Sequence, residues 1–447
     1  MKDRASFARS DAARGAGTGM SQDIALRMAT APGDSPAPGS RLMRRLDALC
    51  RFSADEGSLT RLYLTPEHRA AAEQVTAWMR EAGMTVSLDA AATVIGRYEG
   101  QEPGLPALLL GSHIDTVRHA GRYDGMLGVL VAIEAVAALH AAGLRLPFAV
   151  EVLAFGDEEG VRFPVTLTGS RAVAGGFDPS ALESRDAEGV SLREALHRFG
   201  ADPAAIPALA RRPDQVLAYL EVHIEQGPVL EAEGLPTGIV TAINGATRFV
   251  AEIGGTAGHA GTVPMHLRRD AVAAMAEMVL AVERLALEEP DLVATVGQVS
   301  ASPGAVNVIA AGARFTIDIR SPRDALRHAA CGRLRDELST IAARRGVSLS
   351  LRPTYDEAAA PCDPALIEAL EGASLRCGLR PFRLPSGAGH DGLAMARLCP
   401  IGMIFVRCEG GISHHPAEAI TEADALAALR LLLETLQHLQ PRTFQRT

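Results

Sequence analysis

The succession of apolar runs predicts a two-domain α/β protein. Its core would be a mixed, mostly parallel sheet sandwiched by helices, interrupted by an inserted ferredoxin-like α+β domain. Three observations carry this. A strand–helix–strand succession within residues 107–155 is a βαβ unit and so implies parallel strands. Residues 246–353 change rhythm to β-α-β-β-α-β, the ferredoxin-like order. Beyond residue 353, helices and an apolar strand return, as a first domain resumed after an insertion requires.

Taken in order, residues 1–40 mix Arg, Ser, Gly, Ala and Pro without an apolar signal core, and are expected to form a disordered tail in which Met20 is a second candidate start. Thr65-Pro66-Glu67 supplies an N-cap and a first-turn proline for a helix over 65–82. A short buried strand over 107–110 runs into Gly111-Ser112-His113-Ile114-Asp115. A helix over 127–142 closes at Gly143, and a strand over 148–155 enters Gly156-Asp157-Glu158-Glu159-Gly160. Ligands of open α/β sheets bind beyond the carboxyl ends of strands, which is where both polar clusters fall. In the insertion, strands are expected over 247–253, 292–299, 313–320 and 347–352, with helices over 267–286 and 322–345. Helices over 364–377 and 422–437 and a strand over 401–407 complete the first domain. The expected divisions are therefore 1–40, 41–245, 246–353 and 354–447.

A chain of 447 residues suits two or three domains, and 47% hydrophobic with 22% charged residues excludes global disorder. A net charge of −9 argues against a general nucleic-acid binder, which needs a cationic face to displace counterions. Only Lys2 among the 44 basic residues is lysine, which reflects codon usage and bears on no function. No apolar stretch reaches the ~18 residues of a membrane span. The six cysteines (Cys50, Cys331, Cys362, Cys377, Cys399 and Cys408) are scattered, so a reducing cytoplasm is the expected compartment.

Histidines and carboxylates that suit strand ends can be collected along the chain: His113, Asp115, Asp124, Glu158, Glu159, His223 and His414. Such a mixed set suits Zn²⁺ or Mn²⁺, and an aspartate can bridge two cations to offset their repulsion. Spread over about 300 residues, it cannot be a local structural finger and can be a catalytic site assembled from strand ends. Glu158 and Glu159 should point opposite ways if strand geometry continues through them.

The motifs Gly111-Ser112-His113-Ile114-Asp115-Thr116-Val117, Gly121-Arg122-Tyr123-Asp124-Gly125 and Asp157-Glu158-Glu159-Gly160 resemble the M20 metallopeptidase/amidohydrolase family. His223-Ile224-Glu225-Gln226-Gly227, Gly258-His259-Ala260-Gly261-Thr262, Ser386-Gly387-Ala388-Gly389-His390-Asp391 and Gly411-Ile412-Ser413-His414-His415-Pro416-Ala417-Glu418 are similar to its N-carbamoyl-amino-acid hydrolase and allantoate amidohydrolase branch. The likeness spans residues 41–440 in order. It departs at Ala92-Thr93, where the branch usually carries Gly-Asn, and at Ala310 and Gly392.

The resemblance implies two divalent metal ions per subunit, Zn²⁺ or Mn²⁺ with Co²⁺ or Ni²⁺ possible. His113 and His223 would each bind one metal, Asp124 would bridge, and Glu159 and His414 would complete the second set. His414 is preferred to His415 because Glu418 follows it by four. Asp115 would orient the His113 ring. Glu158 would be the general base, and His259 an oxyanion donor reaching into the neighbouring subunit of a homodimer. Arg320 would clamp a substrate carboxylate, with Asn307 and Gln226 on its carboxylate and amide ends and Gly387 and Gly389 near the ligand. Residues 246–353 would be a hinged lid and dimerisation domain inserted in a split catalytic domain.

His68, His119, His140, His197, His328 and His438 read as structural. His390 is open between shaping a loop and serving the site. Gly254-Gly255-Thr256-Ala257-Gly258 lacks a phosphate-loop lysine and suggests no nucleotide site. The expected activity is hydrolysis of a carbamoyl C–N bond in allantoate or an N-carbamoyl-L-amino acid, releasing ammonia and CO2. The alternatives are β-ureidopropionase, an aminoacylase or dipeptidase, and a non-catalytic binding protein. The segment from Val406 to His414 resembles the allantoate branch.

Overall fold

The computed structural model describes residues 37–441. The chain divides into two compact units. One holds residues 37–239, Asp363–Arg383 and residues 394–441; the other holds Val240–Cys362 and Leu384–Leu393. The second unit is therefore wider than the 246–353 expected and takes in the whole Ser386–Asp391 motif. Residues 1–36 of the expected tail, with Met20, lie outside the described residues, whereas Pro38–Leu49 is already helix, opened by its proline.

In the first unit, four parallel strands form the centre of the sheet in the order Ala149–Phe155, Ala107–His113, Val216–Ile224 and Ile401–Val406. Antiparallel neighbours flank them: Val94–Tyr98 and then Thr85–Leu88 beyond the first, and the start of Thr237–Ile243 beyond the last. Every residue of Ala107–His113 and Ala149–Phe155 is buried, which is why both read as unbroken apolar runs. Val216–Ile224 lies outside the predicted elements because Glu221 and His223 interrupt its apolar run. Both are buried, and Ser112 Oγ donates to Glu221 Oε1 at 3.0 Å.

The helix Met126–Ala141 joins the two predicted strands and is buried on nearly all sides. Its one charge, Glu134, is matched from the Pro38–Leu49 helix: Arg41 Nε donates to Oε2 at 2.8 Å and Arg45 Nη1 to Oε1 at 2.9 Å. Leu42, Leu46 and Leu49, on the same helix, are buried at helical spacing. Thr65 caps Pro66–Glu81 as expected, accepting from the His68 backbone N–H at 3.3 Å. His68 is structural: it packs edge-on to Tyr63, and burial drives its pKa down to about 3.

The second unit has an antiparallel sheet ordered Val299–Ser302, Gly312–Ser321, Gly245–Gly254, Ser348–Glu357, with Val293–Thr295 on the far half of Gly312–Ser321. Second, third, first, fourth is the ferredoxin-like order. The single strand expected over 292–299 is split over residues 296–298, where Gln298 N–H donates instead to Thr316 Oγ1 at 3.0 Å. Helices Ala271–Leu287 and Asp324–Arg345 cover one sheet face, burying Met278, Val282, Leu334 and Leu338 against Phe315, Ile317 and Ile319. The alternate residues Arg314, Thr316, Asp318 and Arg320 are on the other face.

One close approach sets the sheet-to-helix spacing beneath the site. A Cβ at Gly128, on the buried helix, would lie 2.0 Å from the Val222 carbonyl oxygen. Gly128→Ala is expected to cost about 1–3 kcal/mol through overpacking and to lower the midpoint of a circular-dichroism melt. An unchanged midpoint would show that helix and strand can separate freely.

Candidate active site

Three neighbouring parallel strands end together. His113 is the last residue of its strand, Asp157-Glu158-Glu159 follow Phe155, and His223 is next to last in Val216–Ile224. Asp124 precedes the buried helix, whose N-cap is Gly125 at φ +67°. His414 comes from the loop after Ile401–Val406, at φ +54°. The strand does not continue through Glu158 and Glu159, and their carboxylates stay close, one oxygen of each lying with a His113 ring nitrogen in a group whose atoms are within 4.8 Å of one another. Glu158 Oε2 lies 3.9 Å from His113 Nε2, and Glu159 Oε2 lies 3.6 Å from His414 Nε2.

The side chains converge on Asp124. Its Oδ1 is 3.1 Å from His223 Nε2 and 3.5 Å from His113 Nε2, and its Oδ2 is 3.1 Å from His414 Nε2. Two donor groups result, His113/Asp124/His223 and Asp124/Glu159/His414, each with ligand atoms within 4.8 Å of one another. Asp124 belongs to both. The far ring nitrogens are tied to carbonyl oxygens, His113 Nδ1 to Asp115 O at 3.0 Å and His223 Nδ1 to Ile224 O at 2.9 Å. A carbonyl only accepts, so each Nδ1 carries the proton and each Nε2 faces Asp124, the tautomer that metal binding needs. Glu159 Oε1 is buried with no hydrogen-bond partner, a cost that a cation would remove. The donor set thus fits divalent metal ions.

A further layer holds these groups. The Asp115 carboxylate accepts the backbone N–H groups of Glu158 and Glu159, both at 3.3 Å, while its carbonyl oxygen takes the bond to His113. The ring expected to be oriented by the Asp115 side chain is thus oriented mainly by its main chain. Gln226, expected at the substrate, donates from Nε2 to Asp124 Oδ2 at 2.9 Å and to Ser413 Oγ at 3.0 Å. Glu418 Oε1 accepts the Tyr123 and Asp124 backbone N–H groups at 2.8 and 3.1 Å, and Ser413 Oγ donates to Glu418 Oε2 at 2.9 Å. The sequence marked Glu418 only by its spacing from His414 and gave Ser413 no role. Asp157, Gln226 and His414 all adopt positive φ, local strain of the kind stored at functional sites. His415 is exposed, and its Nδ1 accepts from Ala417 N–H, so His414 is the histidine brought to Asp124.

Protons bind tightly in this cluster. Burial opposes charge on His113 and His223, but the bond of each to Asp124 and the surrounding carboxylates raise both above the usual range. The bond to Asp124 pushes His414 up to about 9. Burial, then the charge of Asp124, pushes Glu159 up to about 7. Burial alone would raise Asp124, yet its three imidazole partners hold it well below the carboxylate range.

The remaining predicted residues lie in the second unit. His259 is exposed, opposite Val308 in a two-stranded ladder, and Ala260 N–H donates to Asn307 O at 2.9 Å, so His259 and Asn307 are neighbours. Arg320 Nη1 donates to Gly387 O at 2.8 Å. A Cβ at Gly387 would meet nothing within 4 Å, and one at Gly389 only Leu393, so neither glycine is required by packing. His390 is buried with Nε2 2.8 Å from Ser386 Oγ, which closes the loop between them.

The model of peptidase family M20/M25/M40 matches residues 109–438. The chain is 44% identical over 402 residues to an N-carbamoyl-L-amino acid amidohydrolase of Geobacillus stearothermophilus, covering 90% of this chain and 98% of the relative. It is 41% identical over 418 residues to a probable allantoate deiminase of Oryza sativa, covering 86% and 85%. A solved amidase of the hydantoinase/carbamoylase family from Burkholderia multivorans superposes with a TM-score of 0.84 at 34% identity, over 89% of this chain and 97% of that one.

Two outcomes are expected of the site. Gly125→Ala puts a side chain at positive φ with its Cβ 2.4 Å from the His113 ring. It should weaken divalent-cation binding, read by calorimetry, by about tenfold or more while the far-ultraviolet spectrum stays folded; unaltered binding would free His113 from this packing. A cation entering the cluster must displace protons, and His414 keeps its proton below about pH 9. Apparent cation affinity should therefore fall as pH falls below that value, with net proton release in calorimetry across two buffers. Zero release at pH 7 would contradict the protonated cluster.

Proposed function

The chain belongs to peptidase family M20/M25/M40, and from that premise we propose that it is a metal-dependent amidohydrolase acting on a carbamoyl C–N bond. The substrate is a small carboxylate, allantoate or an N-carbamoyl-L-amino acid, and the products are ammonia, CO2 and the freed amine. The observation that carries this is the pair of donor groups sharing Asp124 with Glu158 alongside; the relatives set the class of bond.

His113, His223, Asp124, Glu159 and His414 would hold two divalent ions, Zn²⁺ or Mn²⁺ with Co²⁺ or Ni²⁺ admissible. Bound there, such ions supply Lewis-acid polarisation and make water acidic near neutral pH. Glu158 takes the proton of the attacking water and returns it to the departing nitrogen. Its partly exposed carboxylate and the bond from its backbone N–H to Asp115 support that role. Asp115 orients the paired glutamates. His259 donates to the oxyanion and Arg320 clamps the substrate carboxylate, with Asn307 and Gln226 on its carboxylate and amide ends and Gly387 and Gly389 near the ligand.

Residues 41–245 and 354–447 serve as the catalytic domain and 246–353 as a lid and dimerisation domain. The working form is a homodimer in which His259 serves the neighbouring subunit. Exposed Leu280, Leu287, Val293 and Val299 in the second unit favour an association surface. Among the described residues no helix is long and apolar enough to cross a membrane, and six free cysteines suit the reducing cytoplasm.

The test is ammonia release from allantoate and a panel of N-carbamoyl-L-amino acids, with and without added divalent metal. At least one ureido substrate should be turned over only when metal is present. Glu158→Gln should lower kcat by about 10²–10⁴-fold with little change in KM. Silence on every ureido substrate together with cleavage of dipeptides or acyl amino acids would overturn the bond assignment, and full turnover by Glu158→Gln would overturn the base.

A further inference from the structure

A guanidinium has five N–H groups, and three of those on Arg320 are already committed. Nε and Nη2 donate to Asp318 Oδ1 and Oδ2 at 2.8 and 3.0 Å, and Nη1 donates to Gly387 O at 2.8 Å. One N–H remains on each terminal nitrogen. That is the pair a carboxylate takes in bidentate fashion.

Asp318 is held in turn from the adjacent strand. Register places it opposite Arg248, whose Nε donates to Asp318 Oδ2 at 2.8 Å. The Arg248 guanidinium lies 4.8 Å from the centre of the Tyr355 ring, which limits its own freedom. All three side chains belong to the sheet face opposite the helices, since strand alternation sends Ile317 and Ile319 to the core. Two guanidinium groups around one carboxylate leave a surplus of one positive charge. Burial works against the Asp318 charge, but the two arginines keep its pKa below the usual range. Arg248, Asp318, Arg320 and Gly387 line a cavity of about 680 Å³ that Thr316 and Gln298 also border.

We propose that Asp318 is the positioning residue of the carboxylate clamp. It grips Arg320 by its Nε edge so that the terminal edge is presented to the substrate, and Arg248 keeps the array cationic. The proposal rests on the reading of Arg320 as the clamp. An unheld arginine would have to surrender its rotamer freedom when substrate arrives; here Asp318 has already removed it.

The experiment is steady-state kinetics of the metal-replete enzyme on its best ureido substrate and on the carboxamide counterpart of that substrate. Arg320→Ala should raise KM for the carboxylate by about tenfold or more, with a much smaller change in kcat. Asp318→Ala should raise the same KM by several-fold, leave the carboxamide's KM unmoved, and add nothing in the Arg320→Ala background. Asp318→Asn, which keeps the shape and one acceptor, should recover part of the loss, and it stands in if the alanine variant does not fold. If Arg320→Ala raises KM and both Asp318 variants leave it unchanged, positioning by Asp318 is overturned while the clamp stands. An additive double variant, or an equal loss on the carboxamide, would also overturn it. If Arg320→Ala itself leaves KM unchanged, the clamp fails and the positioning role falls with it.

Discussion

Three imidazoles from three distant parts of the chain meet on one carboxylate, and the first unit is organised around that meeting. Asp124 can face His113 and His223 with one oxygen and His414 with the other only if two adjacent parallel strands end side by side. The helix carrying it must also begin directly above them. Gly125 permits that start by adopting φ +67° where any Cβ would strike the His113 ring, and Gly128 lets the same helix sit against the His223 strand. The βαβ crossover is thus more than a connection between strands. It delivers the shared carboxylate onto the strand ends, while Glu418 and Gln226 fasten its main chain and side chain separately.

The second unit solves a different problem by simpler means. Its sheet has helices on one face only, so strand alternation divides Gly312–Ser321 into core residues and a polar row. Antiparallel register then sets Asp318 across from Arg248, and a step of two residues along the strand brings Arg320 onto the same face. No loop strain is involved. An arginine carried on paired strands is held by the ladder itself, which would suit the orienting task proposed for Arg320.

Much of this was legible in the sequence, for physical reasons that also mark where legibility ended. Fully buried strands show as unbroken apolar runs, so Ala107–His113 and Ala149–Phe155 could be read and the polar residues after them placed at strand ends. Val216–Ile224 could not, because Glu221 and His223, buried though both are, break its apolar pattern. Residue type and order singled out the side chains that meet at Asp124, but no local rule reveals what holds them. Gln226 is a plausible substrate contact from its motif, and only coordinates show its amide bound to Asp124 and Ser413. Different jobs for Glu158 and Glu159 were inferred from strand alternation, but the strand ends before them and both backbones are held in a turn anchored by Asp115.

Asp124 and Asp318 invite direct comparison, since each is a carboxylate enclosed by nitrogen donors. The difference lies in what those donors can give up. An imidazole can shed its proton and offer a lone pair, so a carboxylate ringed by His113, His223 and His414 is a place where protons and metal ions compete. A guanidinium keeps its protons at any working pH. A carboxylate between Arg248 and Arg320 therefore cannot become a metal site; it leaves the surplus N–H groups of Arg320 to an incoming anion. Through the choice of base around a common acid, the cluster of one unit suits cations and that of the other suits carboxylates, the two affinities that the proposed hydrolysis of a carboxylate-bearing ureido compound would call for.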